Sequence, residues 1–214
     1  MYKIALFLRT QANPNFFRNI VLDCLSEKYN TYILCSAFFQ ENSFSTSAEI
    51  INKLKLNINK HLDIYGLYRG NWSKQFNTSC NNIVNYANQN KTKLSVNCYQ
   101  FKPNSHAKIF MAKENNTPKL AIIGSSNLSA GAFANRTSKE RWNQESDVIF
   151  WNNQCSISNK IIENVINKLP IELKPFIYIS NYNSDHIRKD ISCQKKLERL
   201  EQLMKNNSIR IPKN

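Results

Sequence analysis

Glycine is scarce in this chain: only four of its 214 residues are glycine, at positions 66, 70, 124 and 131. Loops that wrap the phosphates of a nucleotide need two or three glycines at short fixed spacing, as in GxGxxG or in GxxxxGK followed by Ser or Thr. Neither spacing occurs anywhere in the chain. The sequence therefore excludes the dinucleotide-binding and P-loop classes that these motifs define.

Metal-binding and disulfide patterns are missing as well. No two of the six cysteines form a CxxC pair, and the three histidines are isolated from them. Structural zinc sites need paired ligands at short spacing, and a chain of this length can bury a stable core without disulfides. We therefore expect no metal and no other cofactor, and six reduced thiols at Cys24, Cys35, Cys80, Cys98, Cys155 and Cys193.

Long hydrophobic runs are absent too. A transmembrane helix needs about 18 or more consecutive apolar residues, and the chain has no such run. Its N-terminus becomes polar too early to be a signal peptide. These features predict a soluble cytoplasmic protein with no membrane partner.

Acidic residues are few compared with basic ones. The chain has 29 Lys and Arg against 15 Asp and Glu, which gives a net charge of +14. A surface of this kind attracts polyanions such as nucleic acid, an anionic membrane or an acidic protein. Because 42% of the residues are hydrophobic, the chain is a folded domain and not a disordered basic tail.

Hydrophobic periodicity predicts strands that alternate with helices. We expect a helix that opens at residues 13–14 and further helices over 45–56, 78–90 and 158–169. Strands are predicted over 2–8, 31–39, 62–68, 94–99, 106–112, 120–123 and 147–151, with a turn at 115–118. This alternation is typical of an α/β sandwich with a central mixed sheet flanked by helices.

The C-terminal part of the chain differs in composition. From residue 186 onward it has eight Lys and Arg against three Asp and Glu, with Leu197, Leu200, Leu203 and Met204 at helical spacing. We therefore divide the chain into a catalytic domain over 1–170 and a basic helical extension or linker over 171–214. Such a basic helix face is more often solvated than a dedicated DNA clamp.

Polar residues of catalytic type cluster around two of the predicted strands. His106 and Lys108 lie on one face of a strand, because side chains alternate with period two. The next strand ends at Gly124, and Ser125 and Asn127 follow it. An imidazole can act as nucleophile or proton carrier near neutral pH, while the ammonium, hydroxyl and amide groups can bind a phosphate oxygen. The segment therefore predicts a phosphate site.

These residues resemble the phospholipase D superfamily, whose motif reads HxKx4D followed by GSxN. His106 and Lys108 match the first part, and Gly124, Ser125 and Asn127 match the second. Residues 143–148, Asn-Gln-Glu-Ser-Asp-Val, resemble a downstream NxExxV segment whose Glu supports the catalytic His. The motif Asp would fall on position 113, which is Lys in this chain. The resemblance implies that Glu145 orients the imidazole, with Asp147, on the same strand face, as the alternative.

The resemblance implies a phospholipase D-like fold and a metal-independent phosphodiesterase. Enzymes of this superfamily need two HxK motifs for one active site, and this chain has one. A symmetric homodimer that joins two copies of His106 is therefore expected, with a phosphohistidine intermediate. Lys108, Ser125 and Asn127 would bind the phosphate.

The amino-acid sequence of residues 125–133 is similar to sequences of the restriction-endonuclease branch of the superfamily. That likeness implies a bacterial DNA endonuclease of a restriction or defence system, and the charge agrees with such a substrate. Three alternatives then stay open for sequence recognition: a further domain of a longer protein, a separate subunit, or nonspecific cleavage without recognition. Two other functions stay open: a phospholipid phosphodiesterase, and a nucleic-acid-binding module without catalysis. His61 and His186 have no supporting motif and are interpreted as structural.

Overall fold

One mixed sheet runs through the chain. The computed structural model describes residues 1–41, 43–54, 59–66, 70–89, 93–101, 106–136, 139–182 and 191–212. Within these residues nine strands pair into a sheet: β1 Tyr2–Arg9, β2 Thr31–Ser36, β3 Lys60–Gly66, β4 Leu94–Phe101, β5 Lys108–Glu114, β6 Thr117–Gly124, β7 Glu145–Asn152, β8 Ile177–Asn181 and β9 Ser208–Arg210. The strand order is β8-β1-β7-β6-β5-β2-β3-β4-β9.

Helices connect these strands. They are α1 Phe16–Ser26, α2 Thr46–Ile51, α3 Gly70–Gln89, α4 Ser156–Asn167 and α5 Cys193–Asn206, with a 3-10 turn at Ile171–Phe176. Side chains at three of their N-termini accept a backbone N–H, as expected for caps: Asn15 in α1, Ser45 in α2 and Ser192 in α5. Among the described helices, none is long and apolar enough to cross a bilayer.

The pairing directions bring several strand ends to one edge of the sheet. Strands β2, β3 and β4 pair in parallel, whereas β5, β6, β7 and β1 pair antiparallel in turn. As a result, β1 to β4 and β6 end where β5 and β7 begin. We call this the upper edge of the sheet.

The two faces of the sheet bury different clusters. One face packs against helices α1 to α4, with Phe7, Ile122 and Ile149 in the same cluster as residues of these helices. The other face packs against α5, whose Leu197 and Met204 share a cluster with sheet residues. This layering of helix, sheet and helix confirms the predicted fold class.

Several element boundaries differ from the prediction. The strand expected over 31–39 ends at Ser36, and α3 begins at Gly70, eight residues before the predicted start. The first turns of α3 are polar with few apolar side chains, so periodicity gave no signal there. The predicted ends at 56, 68 and 90 lie outside the described residues.

The segment predicted as a helical extension also supplies strands to the sheet. Its helix is present as α5, but β8 pairs with β1 and β9 pairs with β4. These strands have five and three residues and lie at the two edges of the sheet, where little is buried and alternation is weak. The boundary at 170 stays a prediction.

Candidate active site

The upper edge of the sheet gathers most of the predicted site residues. Lys108 in β5 pairs with Gly124 in β6, and Gly124 pairs with Asp147 in β7. Two residues before Asp147 in β7, Glu145 pairs with Arg9 in β1. Adjacent strands lie about 4.8 Å apart, so the groups on these four strands form one continuous row.

The HxK segment enters β5 at this edge. His106 is exposed just before the strand, and its imidazole makes no hydrogen bond within the described part of the chain. Lys108 is the first residue of β5 and is only 9% exposed. Its ammonium likewise has no hydrogen-bond acceptor among the described residues. Both groups are therefore available to a ligand.

The loop after β6 is held by two carboxylates of β7. Ser125 Oγ donates to Glu145 Oε2, and Ser125 and Ser146 exchange two further hydrogen bonds of 3.0 Å. Ser126 donates to Asp147 through both its backbone N–H (3.3 Å) and its hydroxyl (2.6 Å). Because each carboxylate binds a different serine, the backbone of this loop is fixed.

Glycine is required where the loop leaves β6. A Cβ on Gly124 would overlap the Asp147 carboxylate and the backbone of Ser146. A Cβ on Gly131 would lie 2.7 Å from Oδ1 of Asn143, whose Nδ2 donates to Glu145 Oε1 at 3.1 Å. Both glycines thus allow a close approach that positions a carboxylate.

Asn127 is oriented by a serine from β2. Ser36 Oγ accepts from Leu128 N–H at 3.1 Å, and its one proton is shared between the Phe38 carbonyl at 2.8 Å and Asn127 Oδ1 at 3.4 Å. The amide oxygen of Asn127 is therefore engaged, while its Nδ2 makes no hydrogen bond to a described residue. This side chain can donate to an anion.

Burial perturbs the two charged groups deepest in the site. It raises the pKa of Asp147 to about 6, with the charge of Glu145 acting in the same direction and the Ser126 hydrogen bonds against it. Burial lowers the pKa of Arg9, while the charges of Glu145 and Asp147 raise it. The guanidinium thus offsets the negative charge of the two carboxylates.

Arg9 is a site residue that the motifs did not reveal. It is buried and donates to the backbone carbonyls of Ala12 (2.7 Å), Gly131 (2.9 Å) and Ala132 (3.1 Å). It thereby joins the loop after β1 to the loop after β6. The available signal was an arginine that ends an otherwise apolar strand, where a buried charge needs partners.

The predicted contact between Glu145 and His106 is not among the hydrogen bonds of the described residues. The Glu145 carboxylate instead accepts from Ser125 and Asn143. Glu145 is half-buried, whereas Asp147 is buried. His61 hydrogen-bonds Asp63 at 2.7 Å, which fits the structural role expected for it. His186 lies outside the described residues.

An open cleft of about 340 Å³ adjoins the site and is lined by Leu8, Arg9, Thr10, Ser125, Gln144, Glu145 and Ser146. Within the described part of the chain, no three His, Cys, Asp or Glu side chains are grouped so that they could hold a metal ion. The polar groups that line the site suit an anionic ligand such as a phosphate diester.

Comparisons with known proteins agree with this fold. The fold is similar to that of a solved phosphatidylserine synthase from Haemophilus influenzae Rd KW20. That structure matches with a TM-score of 0.51 and 11% identity, over 95% of this chain and 46% of the synthase.

The chain belongs to a family of restriction endonucleases. The model of the NgoFVII restriction endonuclease N-terminal PLD domain matches residues 16–169. A yeast tyrosyl-DNA phosphodiesterase also matches, with a TM-score of 0.39 and 11% identity, over 68% of this chain and 30% of that protein. The chain thus spans less than half the length of either solved structure. No curated protein sequence matches it.

Proposed function

We propose that this protein is a metal-independent phosphodiesterase that cleaves DNA as an endonuclease of a restriction or defence system. The observation that carries the proposal is the row of phosphate-binding groups at the upper edge. There the exposed imidazole of His106, the ammonium of Lys108 and Nδ2 of Asn127 make no hydrogen bond to a described residue, so they can meet a ligand. The match to a restriction-endonuclease domain supports nucleic acid as the substrate.

The reaction would proceed in two displacements at phosphorus. In the first, an imidazole nitrogen of His106 forms a P–N bond while the P–O bond to the leaving nucleoside breaks. A second imidazole donates its proton to that leaving oxygen. In the second displacement this imidazole accepts a proton from water, the water oxygen bonds to phosphorus and the P–N bond breaks. The sum is hydrolysis of one phosphodiester.

Lys108 and Asn127 would stabilise the charge that develops on the non-bridging oxygens. Their donors are held before the substrate arrives, by the burial of Lys108 and by the hydrogen bond from Ser36 to Asn127. Preorganised donors of this kind often make the largest single contribution to lowering the barrier. Ser125 would add a further contact to the phosphate by turning its hydroxyl away from Glu145, to which it donates without substrate.

Glu145 is our choice for the carboxylate that orients His106. Both carboxylates accept hydrogen bonds at each of their oxygens, but Asp147 is the more deeply buried, at 6% exposed. Glu145 is half-buried at the wall of the cleft, so its side chain is the better placed of the two to reach an imidazole.

The second imidazole would come from His106 of the partner subunit in a symmetric homodimer. The chain has one HxK sequence, so one copy supplies half of the catalytic groups. A twofold axis at the site would bring two equivalent imidazoles to opposite sides of one phosphorus. A separate domain or subunit would recognise the DNA sequence.

The substrate class is tested by offering three phosphodiesters to the protein in EDTA: plasmid DNA, RNA, and vesicles of phosphatidylcholine with phosphatidylglycerol. We expect nicked or linear DNA and intact lipid, since the net charge of +14 favours a polyanionic polymer. Lipid cleavage with intact nucleic acid would instead identify a phospholipid phosphodiesterase. Binding of DNA with no cleavage of any substrate would identify a non-catalytic module.

A further inference from the structure

Two aromatic pairs connect the segment after β2 to helix α3. Phe39 and Phe76 pack with ring centroids 5.2 Å apart, and both are buried. Phe38 and Trp72 pack beside them at 4.6 Å, but Trp72 is 41% exposed. The inner pair belongs to the core, whereas the outer pair presents an indole to solvent.

The outer pair is held on a rigid base. Trp72 and Phe76 are four residues apart and therefore lie on one face of α3. Phe76 packs so closely against the end of β3 that a Cβ on Gly66 would overlap its ring. This contact fixes the first turns of α3 against the sheet, so Trp72 has little freedom to move away from Phe38.

Trp72 and Phe38 lie next to the phosphate-binding groups. Phe39 and Leu128 form a parallel bridge, and Gln40 N–H donates to Leu128 C=O at 3.0 Å. The preceding residues, Phe38 and Asn127, are therefore neighbours at about the 4.8 Å spacing of paired strands. The Ser36 hydroxyl joins them, because it lies within hydrogen-bond distance of both Asn127 Oδ1 and the Phe38 carbonyl.

The charge around this pair suits a polyanion. The twenty residues of α3 include no Asp or Glu, and Lys74 is exposed one turn after the start of the helix. An exposed aromatic ring beside a phosphate site and on a helix without acidic residues can serve as a stacking platform for a nucleobase. A base paired within a duplex is stacked on both faces and cannot use such a platform.

We propose that Phe38 and Trp72 form a stacking site for an unpaired base adjacent to the phosphate held by Lys108 and Asn127. This inference rests on the proposed function for the identity of that phosphate. It assigns the site a preference for single-stranded DNA, or for a base turned out of the duplex.

The test measures binding in a protein that cannot cleave, the His106→Ala variant. Its ligands are a thymidine strand of about a dozen nucleotides and an abasic strand of equal length, each followed by fluorescence anisotropy. Trp72→Leu keeps an apolar contact with Phe38 but removes the ring, so it should weaken binding of the thymidine strand about tenfold. The affinity for the abasic strand should be the same before and after the Trp72→Leu substitution.

Two further variants separate stacking from folding. Trp72→Phe should restore most of the affinity, because a phenyl ring also stacks. Tyr178→Ala removes an exposed aromatic from β8 and should leave both affinities unchanged. The proposed stacking site would be wrong if Trp72→Leu lowered the affinity for the thymidine and abasic strands equally, or lowered neither. If the Trp72 variants show the expected losses but the protein with His106 intact cleaves none of the three substrates, only the proposed function would be overturned.

Discussion

The two carboxylates of β7 differ in their burial and in their hydrogen-bond partners. Glu145 is half-buried and accepts from Ser125 and Asn143, whereas Asp147 is buried and binds Ser126. The sequence identified both positions and left the choice open, since they share one strand face. Depth of burial, which alternation alone cannot show, distinguishes them.

Asp147 should make the stability of the protein depend on pH. Its pKa of about 6 in the folded state exceeds the ordinary value near 4, so folding favours the protonated form. Its destabilising contribution is absent below about pH 4 and is complete above about pH 6. The free energy of unfolding of Asp147→Asn, relative to that of the wild type, should therefore rise by on the order of 2–3 kcal/mol between pH 4 and pH 7.

Urea unfolding at several pH values measures this difference. The matched control is Glu172→Gln, which changes an exposed carboxylate and should follow the wild type at every pH. Parallel curves for Asp147→Asn and the wild type would contradict the assignment of a perturbed carboxyl to this position.

At the scale of elements, α5 is tied to the strand that carries the HxK sequence. Glu201 in α5 is buried and accepts from Lys113 at 2.6 Å and from Lys205 at 2.7 Å. Lys113 occupies the position where the superfamily motif has Asp. The presence of Lys instead of the motif Asp at this position thus has a local explanation, because Lys113 has a carboxylate partner in α5.

Removing that partner should destabilise the fold. Glu201→Ala leaves Lys113 buried without a counter-charge, and breaking a buried pair in this way costs about 3–5 kcal/mol. Urea unfolding near pH 7 measures the loss. The double variant Lys113→Met with Glu201→Leu should recover most of it, since no unpaired charge remains. A loss below about 1 kcal/mol, as for exposed pairs, would show that this contact does not hold α5 in place.

The elements differ in how far the sequence could predict them. The β5–β6 hairpin was predictable, because asparagine is favoured where a tight hairpin turn needs a positive φ angle. Asn115 and Asn116 have φ angles of 48° and 65°. Strands β8 and β9 were not, since their pairing depends on the exposed edges of β1 and β4. The role of Arg9 was hidden for a similar reason: its partners are backbone carbonyls distant in sequence.

At the scale of the whole molecule, the proposed mechanism needs two chains for one site, because the chain has one HxK sequence. Mixing wild-type subunits with an equal amount of His106→Ala subunits tests this requirement. If each site needs both imidazoles, random exchange should lower activity to about half of that of the same amount of wild-type subunit alone. Activity that is unchanged after exchange would mean that each chain acts independently.

The most direct test of the central claim is plasmid cleavage in EDTA by three proteins: the wild type, His106→Ala and His61→Gln. His61 is the matched control, because its partner is Asp63, in the part of β3 away from the upper edge. We expect cleavage by the wild type and by His61→Gln, and a loss of at least about a thousandfold in His106→Ala. Cleavage by His106→Ala at the wild-type rate, or activity that appears only when magnesium replaces EDTA, would contradict the account.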